Sequence, residues 1–195
     1  SKFFPHLALG IIFWGLLASM VTEGCNAFMG ASNYLKQGYF PISLFVWRSM
    51  ARNVIQFLHH IVLYIPVALW AGISLSWYSL LVIPAFFILL VNAHSLGLAL
   101  GLVCTRFMDV TQIVTSVMQM LMFLTPVFWM PESLPARAQY ILWNPLAQML
   151  ELLRRPLMGG VADMHNWIGI LGWTALSLLA ATMLFTKYRR RVVYW

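Results

Sequence analysis

From residue 53 to residue 105 the chain carries no Asp, Glu, Lys or Arg, and this run constrains the fold more than any other feature. Shorter charge-free runs cover residues 3–22, 110–131 and 164–186. Crossing about 30 Å of hydrocarbon takes roughly 20 apolar residues as helix. The longest run can supply two crossings, and each of the others one. With 62% hydrophobic and 9% charged residues, the chain cannot build the surface of a soluble domain, which is about a quarter charged. Disorder, coiled coil and disulfide scaffold are excluded on the same ground. The expected fold is all-α: a polytopic helical membrane protein in which residues 1–195 form one transmembrane domain.

Five crossings are expected, at residues 6–21, 53–75, 80–103, 110–129 and 167–186. Two regions between them are too polar for a lipid-exposed span. Residues 22–52 contain Glu23, Lys36, Arg48 and Arg52 and read as a loop, with a short amphipathic helix over residues 25–35. Residues 130–166 read as a second non-spanning region. There Asn144 and Pro145 have the types that open a helix, as N-cap and first helical residue. Leu146, Met149, Leu150 and Leu153 follow at the spacing of one apolar face. Glu151 and Arg155, four apart, are expected on the opposite, polar side, and Gly159-Gly160 ends the element. Such a helix is too short to span but can dip into the membrane within protein.

The net charge is +7, yet the cations punctuate the gaps between spans and form no basic module, so nucleic acid is excluded as a partner. Lys36, Arg48, Arg52, Arg106, Lys187 and Arg189–Arg191 fall on one side of the membrane by the expected crossings, against Lys2, Arg137, Arg154 and Arg155 on the other. The richer side is cytosolic. Cys25 and Cys104 then lie near the cytosolic face, where thiols stay reduced, and their spacing fits no zinc site.

Catalysis finds no support in the residues. The five acids, Glu23, Asp109, Glu132, Glu151 and Asp163, include no pair with each other or with a histidine at the short helical spacing of a hydrolytic dyad or metal site. His59 and His60 are adjacent and diverge on a helix. No Gly-rich phosphate loop is present. The expectation is a non-enzymatic chain without cofactor or metal of its own, with any ATP and Mg bound on another subunit. Arg106 and Asp109, three apart, suit either a local ion pair or contact with a cytosolic partner. The 15% aromatic content suits membrane belts, core packing or sugar stacking.

Three sequence blocks carry a resemblance. The first runs from Trp14 to Phe40-Pro41 and includes Thr22-Glu23-Gly24-Cys25-Asn26-Ala27 and Tyr34-Leu35-Lys36-Gln37. The second is Arg106-Phe107-Met108-Asp109-Val110. The third is Thr125-Pro126-Val127-Phe128-Trp129, followed by Asn144-Pro145-Leu146 and residues 152–159. In order and spacing the chain resembles the membrane subunit of type-2 ABC exporters, in the branch that exports O-antigen, capsule or teichoic-acid polymers. The resemblance implies six spans, five of them visible, with an N-terminal amphipathic helix and first span lying ahead of this sequence.

It also implies that Glu23, Asn26, Lys36, Phe40 and Pro41 belong to a cytosolic coupling element docked on a nucleotide-binding ATPase subunit, with Arg106 and Asp109 in a second turn nearby. The extracytoplasmic re-entrant region at the channel mouth would include Trp129, Trp143, Asn144, Pro145 and Glu151. Two copies would line a conduit for a lipid-linked polysaccharide across the bacterial inner membrane. Arg48 and Arg52 are candidates for its lipid phosphate, since guanidinium matches phosphate in a bidentate way. Arg154 and Arg155 are weaker candidates for guiding an acidic polymer outward. The competing expectation is a type-2 permease for a drug, small lipid or peptide.

Overall fold

A computed structural model describes residues 3–29, 41–73, 76–130 and 143–189. Over these residues the chain is helical. The elements are α1 (Phe3–Asn26), α2 (Ser43–Val62), α3 (Tyr64–Trp70), a 3-10 turn (Trp77–Leu81), α4 (Val82–Arg106), α5 (Asp109–Leu124), α6 (Pro145–Leu157) and α7 (Met164–Tyr188). Among the described residues, four segments are long and apolar enough to cross a membrane: Phe3–Asn26, Ser43–Trp70, Trp77–Arg106 and Met164–Tyr188. The expected crossing at residues 110–129 is shorter. Its helix has 16 residues, or about 24 Å at 1.5 Å per residue.

Proline sets several boundaries. Pro66 cannot donate a backbone hydrogen bond and its ring crowds the carbonyl four residues back, so the second span breaks at Leu63 and resumes as α3 with Pro66 in its first turn. Pro126 drives the residue before it out of the helical region. Thr125 accordingly is extended, at φ −84° and ψ 143°, and α5 ends there. Asn144 caps α6 as expected, its side chain accepting from the Leu146 N–H at 3.0 Å with Pro145 next in line. Gly159, at φ +80°, turns the chain away just past its end.

Two expected loop boundaries are corrected. Helix α1 continues through Glu23 to Asn26, so the start of the 22–52 region is its last turn, and residues 25 and 26 open no separate helix. Helix α2 begins at Ser43, so Arg48 and Arg52 are helical. Phe45, Val46, Met50, Asn53 and Phe57 form its buried face, and the arginines are exposed beside it. Their charges disguised a helical pattern as a loop.

Contacts between helix ends define the topology. Phe4 meets Trp70 edge-on at 6.0 Å while Glu23 meets Arg52, so α1 is antiparallel to α2 and α3. Helix α4 runs parallel to α1, because Gly97 and Gly101, toward the end of α4, face Gly24 near the end of α1. Between α4 and α7, Asn92 donates to Thr174 Oγ1 at 2.7 Å and accepts from Ser177 Oγ at 3.1 Å. Away from water such paired polar groups contribute about 0.6–2 kcal/mol each. Helix α6 is buried along nearly its whole length, from Ala147 to Arg154. It lies across the ends of the bundle where α1 begins and α4 and α7 start.

Small residues allow the closest approach. A Cβ on Gly24 would stand 2.9 Å from Gly97 Cα, and one on Gly97 would stand 2.7 Å from Val46 Cγ1. Backbone-to-backbone contact of this kind replaces the hydrophobic effect as the packing force in lipid. Cys25 and Cys104 are buried free thiols on the same two helices. Gly97→Val should therefore lose about 1–3 kcal/mol of stability, read as a lower melting temperature in detergent. Gly172→Ala, where an added Cβ meets nothing within 4 Å, should leave it unchanged.

Candidate functional sites at the two ends of the bundle

The first cluster lies where α1 ends and α2 begins. Glu23 Oε2 is 2.7 Å from Arg52 Nη2 and accepts from Asn53 Nδ2 at 2.9 Å. Glu23, Asn26, Ala27, Phe45, Arg48, Ser49 and Arg52 line a polar cleft of about 380 Å³. Arg48 has no carboxylate partner among the described residues, so two guanidiniums face one carboxylate and the cleft keeps a net positive charge. Arg52 is 68% exposed and Glu23 30%, which leaves the pair open to exchange with an incoming anion. Asn26 ties back to the Thr22 carbonyl at 3.1 Å, and Pro41 stands just before α2, its carbonyl accepting from Leu44 N–H at 2.9 Å. Lys36 and Phe40 lie outside the described residues.

The structure thus joins Glu23, expected in a coupling element, with Arg48 and Arg52, expected at a lipid phosphate. Asn53 and Ser49 were missed. Asn53 reads in sequence as the first residue of a span, and only the crossing of α1 over α2 reveals that its amide holds Glu23. Arg48 and Arg52 are four apart, and that helical spacing was the available signal.

The second cluster is at the opposite end. Arg154, 1% exposed, donates Nη2 to Glu151 Oε1 and Nη1 to the Pro126 carbonyl at 2.7 Å. Its Nη1 also lies 2.8 Å from His6 Nε2. Arginine can only donate, so this contact makes Nε2 the acceptor of a neutral ring. The Trp129 carbonyl, 3.1 Å from the same nitrogen, is bonded only in the other tautomer. Arg155 pairs with Glu151 Oε2 at 2.6 Å and with Asp163 at 3.4 Å. The carbonyls ending α6 are satisfied from outside it, Pro156 by Ser79 Oγ at 2.9 Å and Leu157 by Tyr64 Oη at 3.2 Å.

This geometry corrects two expectations. Glu151 does not lie on an outward polar face: it is buried between two arginines. Arg154 cannot guide a polymer, because its guanidinium is enclosed and holds α6 to α1 and to the turn after α5. Arg155 keeps an exposed edge, 34%, with both its carboxylates in place. Spacing predicted the Glu151–Arg155 pair; the dominant partner, Arg154, became visible only once His6 and Pro126 were brought up from distant parts of the chain.

The remaining candidates are dispersed. Trp129 donates its indole N–H to the Phe123 carbonyl at 3.1 Å. Trp143 is 71% exposed with its ring 5.3 Å from His165. Arg106 lies over the Phe107 ring at 5.9 Å, and Asp109 sits in the first turn of α5, where a carboxylate favours the helix dipole.

Removing one member of a buried ion pair leaves the other charge uncompensated, at about 3–5 kcal/mol. Glu151→Ala should destabilise the protein by that order in a detergent unfolding assay. Asp163→Ala, whose carboxylate is 70% exposed, should cost less than about 1 kcal/mol.

A family model described as ABC-2 type transporter matches residues 2–158, from the start of α1 through the end of α6. A comparison with curated proteins finds no match. The match covers most of the chain, includes both polar clusters apart from Asp163, and agrees with the bundle of membrane-length helices. The chain belongs to the ABC-2 type transporter family and is a multi-pass membrane protein, as expected for a permease of the bacterial inner membrane.

Proposed function

We propose that this permease forms the channel through which a lipid-linked polysaccharide, of the O-antigen, capsule or teichoic-acid type, leaves the cytoplasm. A nucleotide-binding subunit would bind ATP and Mg and perform the hydrolysis. The observation that carries this reading is the arginine cleft. A lipid-linked polymer presents a phosphate at the membrane surface, and guanidinium groups bind phosphate with charge-assisted, often bidentate hydrogen bonds. Arg48 and Arg52 flank a cleft large enough for such a group, at the end of the bundle expected to face the cytosol.

The same cleft abuts the coupling segment. Helix α1 ends at Asn26 and α2 starts at Ser43, so Glu23 and Arg52 stand at the two stems of residues 27–42. Docking of those residues, Lys36 and Phe40 among them, on the ATPase would connect nucleotide turnover to the clasp between α1 and α2. Arg106 and Asp109 would contribute the second cytosolic turn, and a second copy would complete the conduit. A drug or small-lipid exporter would instead hold its substrate in a mostly apolar chamber, whereas a charged, polar cleft suits a phosphate.

The test is ATP turnover by the full-length protein with its ATPase, with and without lipid-linked polysaccharide. Polymer should stimulate turnover. Losing charge-assisted contacts worth about 1.5–3 kcal/mol should raise the half-stimulating polymer concentration about tenfold or more in Arg48→Ala/Arg52→Ala. Lys36→Glu should weaken ATPase association. Stimulation by a small amphiphile and not by polymer would reject the substrate assignment, and failure to bind any ATPase would reject the mechanism.

A further inference from the structure

Helix α5 is the least enclosed of the long helices: Met118 is its one buried residue. Val114 and Leu121 lie half-buried on the same side, and the opposite side is exposed. That exposed side is divided. Residues advance about 100° each around a helix, which places Ile113, Val117, Met120 and Leu124 in one apolar stripe. Gln112, Ser116 and Gln119, also exposed, form a second stripe about a quarter turn away, rising from Asp109.

Carboxamides cannot face lipid tails without large cost, because hydrocarbon offers them no hydrogen-bond partner. Inside the bundle Asn92, Thr174 and Ser177 satisfy one another, and on α5 itself Thr115 bonds the Thr111 carbonyl. Gln112, Ser116 and Gln119 have no side-chain hydrogen bond among the described residues. A helix otherwise suited to lipid therefore presents three neutral polar groups, one per turn over about 10 Å of rise, to something that is not lipid.

We propose that Gln112, Ser116 and Gln119 form a polar wall of the export path and hydrogen-bond the hydroxyls of a sugar chain as it passes, an inference that rests on the polysaccharide reading above. The chemistry fits. A carboxamide both donates and accepts, as does a hydroxyl, so each rung can serve any sugar hydroxyl in either sense. Neutral rungs also let a chain advance, where a fixed charge would hold an anionic group. Phe123 continues the stripe, its ring 6.0 Å from that of Phe128, and these faces suit the apolar side of a sugar where the ladder ends.

Single cysteines at Gln112, Ser116 and Gln119, with Ile113→Cys and Val117→Cys as controls, would be placed in the full-length protein with its ATPase in liposomes. The buried Cys25 and Cys104 supply the background. A charged, membrane-impermeant methanethiosulfonate should modify the ladder positions about tenfold faster than the controls, since the ionised thiolate needs water. Added lipid-linked polysaccharide should slow that modification. Gln112→Leu/Gln119→Leu should reduce polymer-stimulated turnover about fivefold through lost hydrogen bonds, with polymer-free turnover retained. Ladder positions no more reactive than the controls would overturn the proposal, as would ladder cysteines that cross-link between copies without aqueous reactivity. Reactive ladder positions protected by a small amphiphile and not by polymer would keep the path and remove the polysaccharide from it.

Discussion

Hydrocarbon supplies no hydrogen bonds, and this constraint shapes the molecule. The backbone within the membrane resolves into helices, which satisfy their own amides. Polar side chains have three exits. They can pair inside the bundle, as Asn92 does with Thr174 and Ser177. They can gather at a helix end beside water, as Glu23 and Arg52 do. Or they can face a path that is itself wet, the place assigned to the ladder on α5. The burial of Arg154 is the extreme case: its contacts with Glu151, His6 and the Pro126 carbonyl replace water for a full charge, and so fix where α6 lies.

The fold class was legible because charge-free runs of membrane length leave few alternatives. Helix α6 was legible too, since Asn144 and Pro145 act locally through groups within two residues. The start of α2 was not, because Arg48 and Arg52 lowered the apparent hydrophobicity of a segment whose buried face, Phe45 to Phe57, runs beside them. Burial of Glu151 was illegible for a different reason. An i to i+4 acid–base pair is usually a solvated surface feature, and its meaning changed only when α1 delivered His6 beside Arg154. Local signals are written in sequence; the partners that α1 brings to each end are tertiary.

The helix α1 carries a member of each polar cluster, His6 near its beginning and Glu23 near its end. Beside Glu23, its last turns are held against α4 by Gly24, Gly97 and Gly101 at distances that leave no room for a methyl group. A helix packed this closely moves with its neighbour or not at all, because interiors are dense and do not deform continuously. Displacement of the segment after Asn26 therefore reaches α1 and α4 together.

The two clusters differ in what they cost to break. The Glu23–Arg52 pair is exposed, and such pairs contribute about 0–1 kcal/mol. A phosphate can displace Glu23 from Arg52 at little expense, particularly with Arg48 already beside it. The Glu151–Arg154 pair is buried, and separating it leaves charges that nothing nearby can solvate. On the proposed mechanism, rearrangement during transport would begin at the arginine cleft, where contacts exchange with water. The Arg154 end is the anchor, so a motion that opens the far mouth must carry α6, His6 and the Pro126 turn as one unit or pass beside them.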